Sequence, residues 1–215
     1  MANCIIFAAG LFHKLTAPIG KDDYIIAADG GLAHTQALGL VPDAILGDFD
    51  SLGYVPEGAT VFPVEKDDTD SMLAVRHGLQ QGYRSFLIYG ALDGERLDHT
   101  IANLQTLCFL ADHGAIGHLV GRTHSATVIR NAKATFPPEA AGILSLFCMG
   151  PDAQGVTLRG LKYPLENGTL TAHHPLGVSN HFLGEKAEIS VKNGSLLIIS
   201  PADAPFPEIT PYCPS

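Results

Sequence analysis

Four short segments carry residues whose types and spacing suit work on a phosphate. Gly47-Asp48-Phe49-Asp50-Ser51 sets two carboxylates one residue apart behind an apolar run. In an extended chain Asp48 and Asp50 point the same way, and two adjacent carboxylates repel unless a cation lies between them. Such hard-oxygen pairs suit Mg²⁺, which keeps waters and takes further ligands from substrate phosphates. The alternative is a solvated acidic turn. Lys66-Asp67-Asp68-Thr69-Asp70-Ser71 adds a cation for phosphate and another carboxylate where a helical pattern begins. Thr69 or Asp68 also fits there as a helix cap, with Asp70 complementing the dipole. Gly94-Glu95-Arg96-Leu97-Asp98-His99 offers a planar guanidinium to clamp phosphate and a carboxylate to orient a hydroxyl or a metal water. Asp98 as a plain helix cap is the competing reading. Asp29-Gly30-Gly31 lies between an apolar run and a helix, where glycines admit close backbone approach and free N–H groups attract phosphate. A capped turn explains it equally well.

The elements that must hold these segments alternate. Short continuous apolar runs at 3–9, 24–28, 43–47, 59–63, 85–90 and 117–121 predict parallel strands buried on both faces. Helical spacing predicts helices over 32–38, 70–81 (Met72, Val75 and Leu79 inward) and 99–112 (Ile101, Leu104, Leu107 and Ala111 inward). This is an α/β pattern, an open, mostly parallel sheet with flanking helices, which binds ligands beyond the carboxyl ends of its strands. After about residue 126 the helical period stops. Strands are predicted at 143–148, 187–191 and 196–200, with weaker ones at 156–159 and 169–172. Asn167-Gly168 and Asn193-Gly194 read as hairpin turns, the second joining two strands over 188–200, and the tail from Pro201 reads as loop. The expected division is 1–129 for the α/β domain and 130–215 for a smaller all-β sandwich domain.

Composition excludes several classes. Of 215 residues, 46% are hydrophobic and 16% charged, too apolar for a disordered chain. No run approaches the roughly 20 apolar residues of a membrane span, and no secretory leader is present, so a soluble cytoplasmic protein is expected. The net charge is −9, and residues 1–129 carry 15 acids against 7 bases. That field opposes a nucleic-acid backbone. Four scattered cysteines make neither a disulfide framework nor a zinc knuckle. There is no GxxxxGK[ST] loop, GxGxxG fingerprint, HExxH or Gly-x-Ser-x-Gly elbow.

In this order, the segments resemble the thiamine pyrophosphokinase family. The resemblance rests on Asp29-Gly30-Gly31, Pro42-Asp43, Gly47 to Ser51, Lys66 to Asp70 and Arg96 to His99. It continues through Gly160-Leu161-Lys162-Tyr163-Pro164-Leu165 and Gly177-Val178-Ser179-Asn180, covering nearly the whole chain. It implies a homodimer that transfers pyrophosphate from ATP to the hydroxyethyl group of thiamine with Mg²⁺, giving thiamine diphosphate and AMP. Carried onto this sequence, Asp48, Asp50 and Asp70 become the metal-side carboxylates. Asp29, Gly30, Lys66, Thr69, Arg96 and His99 hold ATP, Asp98 faces the thiamine hydroxyl, and Ser179 and Asn180 line the thiamine pocket across the dimer interface. Glu95 departs from a frequent glycine, and His181-Phe182 from a common Glu-Phe. With no Trp, any stacking on thiamine falls to Phe, Tyr or His.

Local chemistry alone leaves other readings open: a Mg²⁺-dependent phosphohydrolase, a nucleotidyl-sugar transferase, or a non-catalytic thiamine or nucleotide sensor. The large acid set speaks against the sensor.

Overall fold

The computed structural model describes residues 2–49, 53–63 and 67–212; Asp50, Lys66 and Cys213 lie outside the described residues. The chain forms two compact units, Met1–Arg122 and Thr123–Ser215, built from mixed sheets with few helices. The first contains strands β1 (Cys4–Phe7), β2 (Tyr24–Ala28), β3 (Ala44–Gly47), β4 (Thr60–Val61), β5 (Ser85–Tyr89) and β6 (Ile116–Val120). Its helices are α1 (Leu32–Ala37), α2 (Asp70–Gln80) and α3 (Leu97–Asp112). These strands pair in parallel in the order β4-β3-β2-β1-β5-β6. The chain thus travels outward from β1 on one side and restarts at β5 on the other. The central strands are short and apolar because both faces are covered; Cys4, Ile6 and Phe7 are all 0% exposed, whereas both residues of the edge strand β4 are exposed.

The helices turn a slightly different face inward than the sequence pattern predicts. On α2 the buried residues are Ser71, Ala74, Val75 and Gly78, not Met72 and Leu79. Gly78 is required there, since a Cβ would stand 2.6 Å from Phe86 and 2.7 Å from the Cys4 sulfur. On α3 the buried face is Asn103, Thr106, Leu107 and Leu110, while Ile101 is 51% exposed. The two polar members are satisfied locally: Asn103 Nδ2 donates to the Ala91 carbonyl at 2.8 Å, and the Thr106 hydroxyl donates to Ala102 at 3.1 Å. A buried polar side chain with its bond made costs little, so it can replace a leucine. No helix among the described residues is long and apolar enough to cross a membrane.

His118 on β6 gives this unit a pH dependence. Burial lowers its pKa from 6.5 to about 4, so the folded chain keeps the ring neutral. The associated stability is complete above the unfolded value and is lost as pH falls from there toward the folded one, on the order of 3 kcal/mol. Urea titrations at about pH 7.5 and about pH 4.5 should show wild type losing more stability than His118→Gln. Equal losses would remove His118 from the account.

The second unit contains β7 (His124–Arg130), β8 (Ala132–Phe136), β9 (Ile143–Cys148), β10 (Ala153–Arg159), β11 (Leu165–Leu170), β12 (Gly177–His181), β13 (Ala187–Ser190), β14 (Ser195–Pro201) and β15 (Glu208–Pro211). Antiparallel pairing runs β12-β9-β14-β7 and β11-β10-β13-β8-β15. Inward residues of both sets, among them Phe136, Leu144, Leu146, Val156, Ile189 and Ile198, share one core.

Three sequence expectations are corrected here. The Asn193-Gly194 turn does not close a hairpin, because β13 and β14 pair with different partners; it carries the chain from one sheet to the other. Asn167-Gly168 lies within β11 rather than at a turn: Asn167 has φ +50°, and the β10–β11 register shifts beside it, the mark of a bulge. The tail is not all loop, since β15 pairs with β8 through Glu208–Pro211.

Candidate active site

The chain's course, outward from β1 and again from β5, opens a crevice at the carboxyl ends of those two strands, where such sheets take ligands. Backbone meets backbone there. Gly10 N–H donates to the Gly90 carbonyl and Ala8 N–H to the Tyr89 carbonyl, each at 2.8 Å. A Cβ on Gly10 would stand 2.4 Å from the Gly90 oxygen, and Gly90 itself has φ +69°. These glycines close the floor of a cleft of about 640 Å³.

Each sequence-predicted segment enters this cleft from a strand end or a helix start. After β2 the chain makes a single 3-10 turn over Asp29–Gly31, and Asp29, 8% exposed, adopts φ +49°. A side chain on Gly31 would be driven to 1.8 Å from the Phe7 carbonyl oxygen, and one on Gly47 to 3.1 Å from the Asp29 Cα. The glycines of both segments therefore let β1, β2 and β3 converge. After β3, Asp48 lines the cleft and Phe49 is 2% exposed with φ +57°. The extended-chain premise of the Asp48 and Asp50 argument does not hold at Phe49, and Asp50 itself lies outside the described residues. Left-handed conformations at two non-glycine residues concentrate here, as strain does at functional sites.

Thr69 caps α2, its hydroxyl accepting the Met72 N–H at 3.2 Å, and Thr69, Asp70 and Ser71 all face the cleft. Asp68 turns away to Arg76, at 2.8 Å. Arg96 at the N-cap of α3, and His99 and the buried Asn103 on it, face the cleft, as does Glu95 in the preceding loop. Asp98 is not the cap of α3: the helix begins at Leu97 with Arg96 in the capping position. Instead, Arg96 grips Asp98 with two bonds, Nε to Oδ1 at 3.2 Å and Nη2 to Oδ2 at 2.6 Å, and the His99 N–H adds a third at 3.0 Å. The Arg96 bonds, with help from the His99 amide, hold the Asp98 carboxyl below the usual carboxylate range. A carboxylate so held accepts hydrogen bonds well and stores a proton poorly at neutral pH, which suits orienting a hydroxyl. For Asp98→Asn, kcat should fall about 10²-fold or more while nucleotide affinity changes little. Weakened nucleotide binding at full kcat would move Asp98 to the phosphate side.

The cleft therefore joins Asp29, Asp48, Thr69, Asp70, Arg96 and His99, with Gly30 in the turn beside them; Asp98 is not among its lining residues and is tied to it through Arg96. Asp50 and Lys66 fall outside the described residues, and among the described residues no three His, Cys, Asp or Glu side chains converge as a metal cluster. Gly10, Gly90 and Asn103 were missed by sequence reasoning. The only local signal was a glycine directly after one predicted strand, Gly10, and one at the end of another, Gly90.

Ser179 and Asn180 belong to the second unit, on β12 at the edge of its sheet. Ser179 has φ +60° where the β12–β9 register shifts. Asn180 is 3% exposed and clamps the Tyr163 backbone, its Oδ1 accepting the Tyr163 N–H at 3.0 Å and its Nδ2 donating to the Tyr163 carbonyl at 2.8 Å. Both edge a mostly apolar stretch, in which Asn180, Tyr163, Leu176 and Val178 line a hollow of about 130 Å³.

Comparison with known proteins separates the same two regions. Residues 16–116 match the family description "Thiamin pyrophosphokinase, catalytic domain", and residues 133–196 match "Thiamin pyrophosphokinase, vitamin B1 binding domain". The thiamine pyrophosphokinase of Bacillus subtilis (strain 168) is 28% identical over 209 residues, spanning 90% of this chain and 94% of its own. Among solved structures, thiamine pyrophosphokinase from Bacillus subtilis superposes with a TM-score of 0.83 at 25% identity, over 94% of this chain and 99% of that one. A thiamin pyrophosphokinase family protein from Enterococcus faecalis gives 0.78 at 29% identity, over 94% and 99%.

Proposed function

We infer the reaction from kinship and geometry together: the chain belongs to the thiamin pyrophosphokinase family. It is a thiamine diphosphokinase, transferring pyrophosphate from ATP to the hydroxyl of thiamine and yielding thiamine diphosphate and AMP. The observation that carries the reading is the convergence of Asp29, Asp48, Asp70, Arg96 and His99 at one crevice of the parallel sheet. We assign ATP to the α/β domain and thiamine to the β-sandwich domain, supported by the separate family matches over residues 16–116 and 133–196.

The donor set fits a hard divalent cation. Asp48 and Asp70 bring carboxylate oxygens into a cleft that also holds Asp29 and Glu95, and a polyphosphate enters so acidic a site only with counter-charge. Asp48 and Asp70, with Asp50, are the residues we assign to Mg²⁺, which when bound neutralises the phosphates and polarises the phosphoryl oxygens. The remaining work falls to the chain. Arg96, Lys66, Thr69, Gly30 and the α2 N-terminus hold phosphate oxygens, with the helix dipole favouring the anion. Asp98 accepts a hydrogen bond from the thiamine hydroxyl and aims that oxygen at the β-phosphorus; the new O–P bond forms as the bond to the α-phosphate breaks, AMP leaves, and the hydroxyl proton passes to solvent.

We assign a homodimer in the cytoplasm, with Ser179 and Asn180 of one subunit completing the cleft of the other. The support is an apolar surface around β12 where Leu176, Leu183 and Tyr163 are each more than half exposed. Mixing an inactive Asp70→Asn subunit with an inactive Asn180→Ala subunit should restore activity, because one site in each heterodimer is intact. No recovery despite verified subunit exchange means the site is not shared. For the reaction itself, AMP should form from ATP and the metal only when thiamine is present. Orthophosphate or pyrophosphate released without thiamine would favour a phosphohydrolase.

A further inference from the structure

We propose that His34 is a positioning residue for the nucleotide, fixing the backbone that follows β1 as a rigid wall of the cleft; this rests on the reading of that cleft as the ATP site. Gly10 in this segment has no side chain of its own to anchor it, and even a Cβ would collide with the Gly90 oxygen at 2.4 Å. It is held by its backbone alone. Its N–H reaches Gly90, and its carbonyl accepts from His34 Nε2 at 2.8 Å, so that nitrogen carries the ring's donating proton. His34 stands on α1, one turn past Asp29-Gly30-Gly31. Its bond therefore ties the element carrying Asp29 to the loop carrying Gly10.

The neighbouring side chains brace the same loop. The Phe12 ring lies 5.6 Å from the His34 ring and packs edge-on against Phe7 and Tyr89, each at 5.7 Å. Further along, the Thr16 hydroxyl lies 2.9 Å from the Tyr89 hydroxyl, and the Thr16 N–H donates to that oxygen at 3.3 Å. Between these anchors the chain turns to solvent, with Leu11 68% exposed. The loop has no helix or strand of its own from Ala8 to Asp23. Its first residues, Ala8 to Gly10, line the cleft, and His34 and Tyr89 anchor the stretch that follows.

The test titrates a non-hydrolysable ATP analogue and measures steady-state kinetics for wild type, His34→Leu, His34→Gln and Thr16→Val. With its carbonyl partner lost, His34→Leu should bind the analogue about tenfold more weakly and raise the ATP KM by a similar factor. Its kcat and thiamine KM should stay within about twofold of wild type. His34→Gln keeps an N–H donor in reach and should recover most of the affinity. Thr16→Val, at the far anchor, should weaken the analogue by a smaller factor and serves if His34→Leu does not fold. The proposal is overturned by wild-type affinity in His34→Leu, by His34→Gln as weak as His34→Leu, or by a kcat loss with nucleotide affinity intact. It is equally overturned if Thr16→Val binds normally while His34→Leu fails to fold. Should wild type form no AMP from ATP and thiamine, the functional reading fails, while the analogue titration still decides the role of His34.

Discussion

Asp70→Asn is expected to lower kcat for thiamine diphosphate formation by about 10³-fold, and Asp48→Asn by a similar factor. Metal-assisted charge stabilisation supplies several kcal/mol, and each 1.4 kcal/mol is a factor of ten in rate. Both side chains are only partly buried and line the cleft. An acid-to-amide change in such places costs little stability. For Asp70 the cost is the loss of a favourable charge in the first turn of α2, about 0.3–1 kcal/mol. The expected signature is therefore a dead enzyme with a nearly normal melting curve, and with a metal requirement for ATP binding that shifts to higher concentration. Near-normal kcat in either variant, or full wild-type activity in excess EDTA, would sink the metal assignment.

Gly31→Ala should be the most damaging small substitution in the first unit. The added methyl group would have to occupy space 1.8 Å from the Phe7 carbonyl oxygen and 2.4 Å from its carbon, both backbone atoms of β1. Neither side can yield without pulling β1 and the Asp29 turn apart. The cost should reach about 3 kcal/mol or more, a fall in Tm of roughly 6–12 °C. Gly30→Ala is the control, since its Cβ meets only the Ala9 side chain, at 3.1 Å. The Ala9 backbone would have to give by only a few tenths of an ångström, so stability should fall far less than in Gly31→Ala. Scanning calorimetry that finds the two variants equally stable would contradict the packing described for this turn.

Legibility of the sequence follows the physics of each element. Most strands of the first unit could be read because burial on both faces demands unbroken apolar runs such as Cys4–Phe7 and Ser85–Tyr89, whereas the two residues of β4 are exposed. In the second unit one face of many strands is polar, and His124–Arg130, Ala132–Phe136 and Gly177–His181 offered neither a run nor a clean turn. The tail strand Glu208–Pro211 has two prolines close by and no inward residue buried, so nothing local distinguishes it from a loop. At the cleft, Asp29, Asp48, Asp70 and Arg96 were legible because charged residues cluster between the apolar runs and the helical patterns, although caps and turns also explained them locally. Asn103, Gly10 and His34 were not. Their roles come from neighbours distant in sequence, and no local pattern records a hydrogen bond to a carbonyl on another element. The bidentate Arg96–Asp98 grip was equally hidden, since spacing alone allowed each to act separately.

The joining of the β1 and β5 loops through Gly10 and Gly90 also bears on how the site comes into being. Residues near the start of the chain meet partners translated much later, so this contact closes a long stretch of polypeptide and belongs to the slow, non-local part of folding. A nucleotide that needs both loops binds the completed first unit and not its partly folded precursors. Binding of that kind stabilises by mass action, gaining roughly 2.7 kcal/mol when ligand is present at about a hundred times its Kd. In a cell rich in ATP, substrate would act as a folding ligand, shielding marginal variants from proteolysis and hiding their weakness until nucleotide is removed.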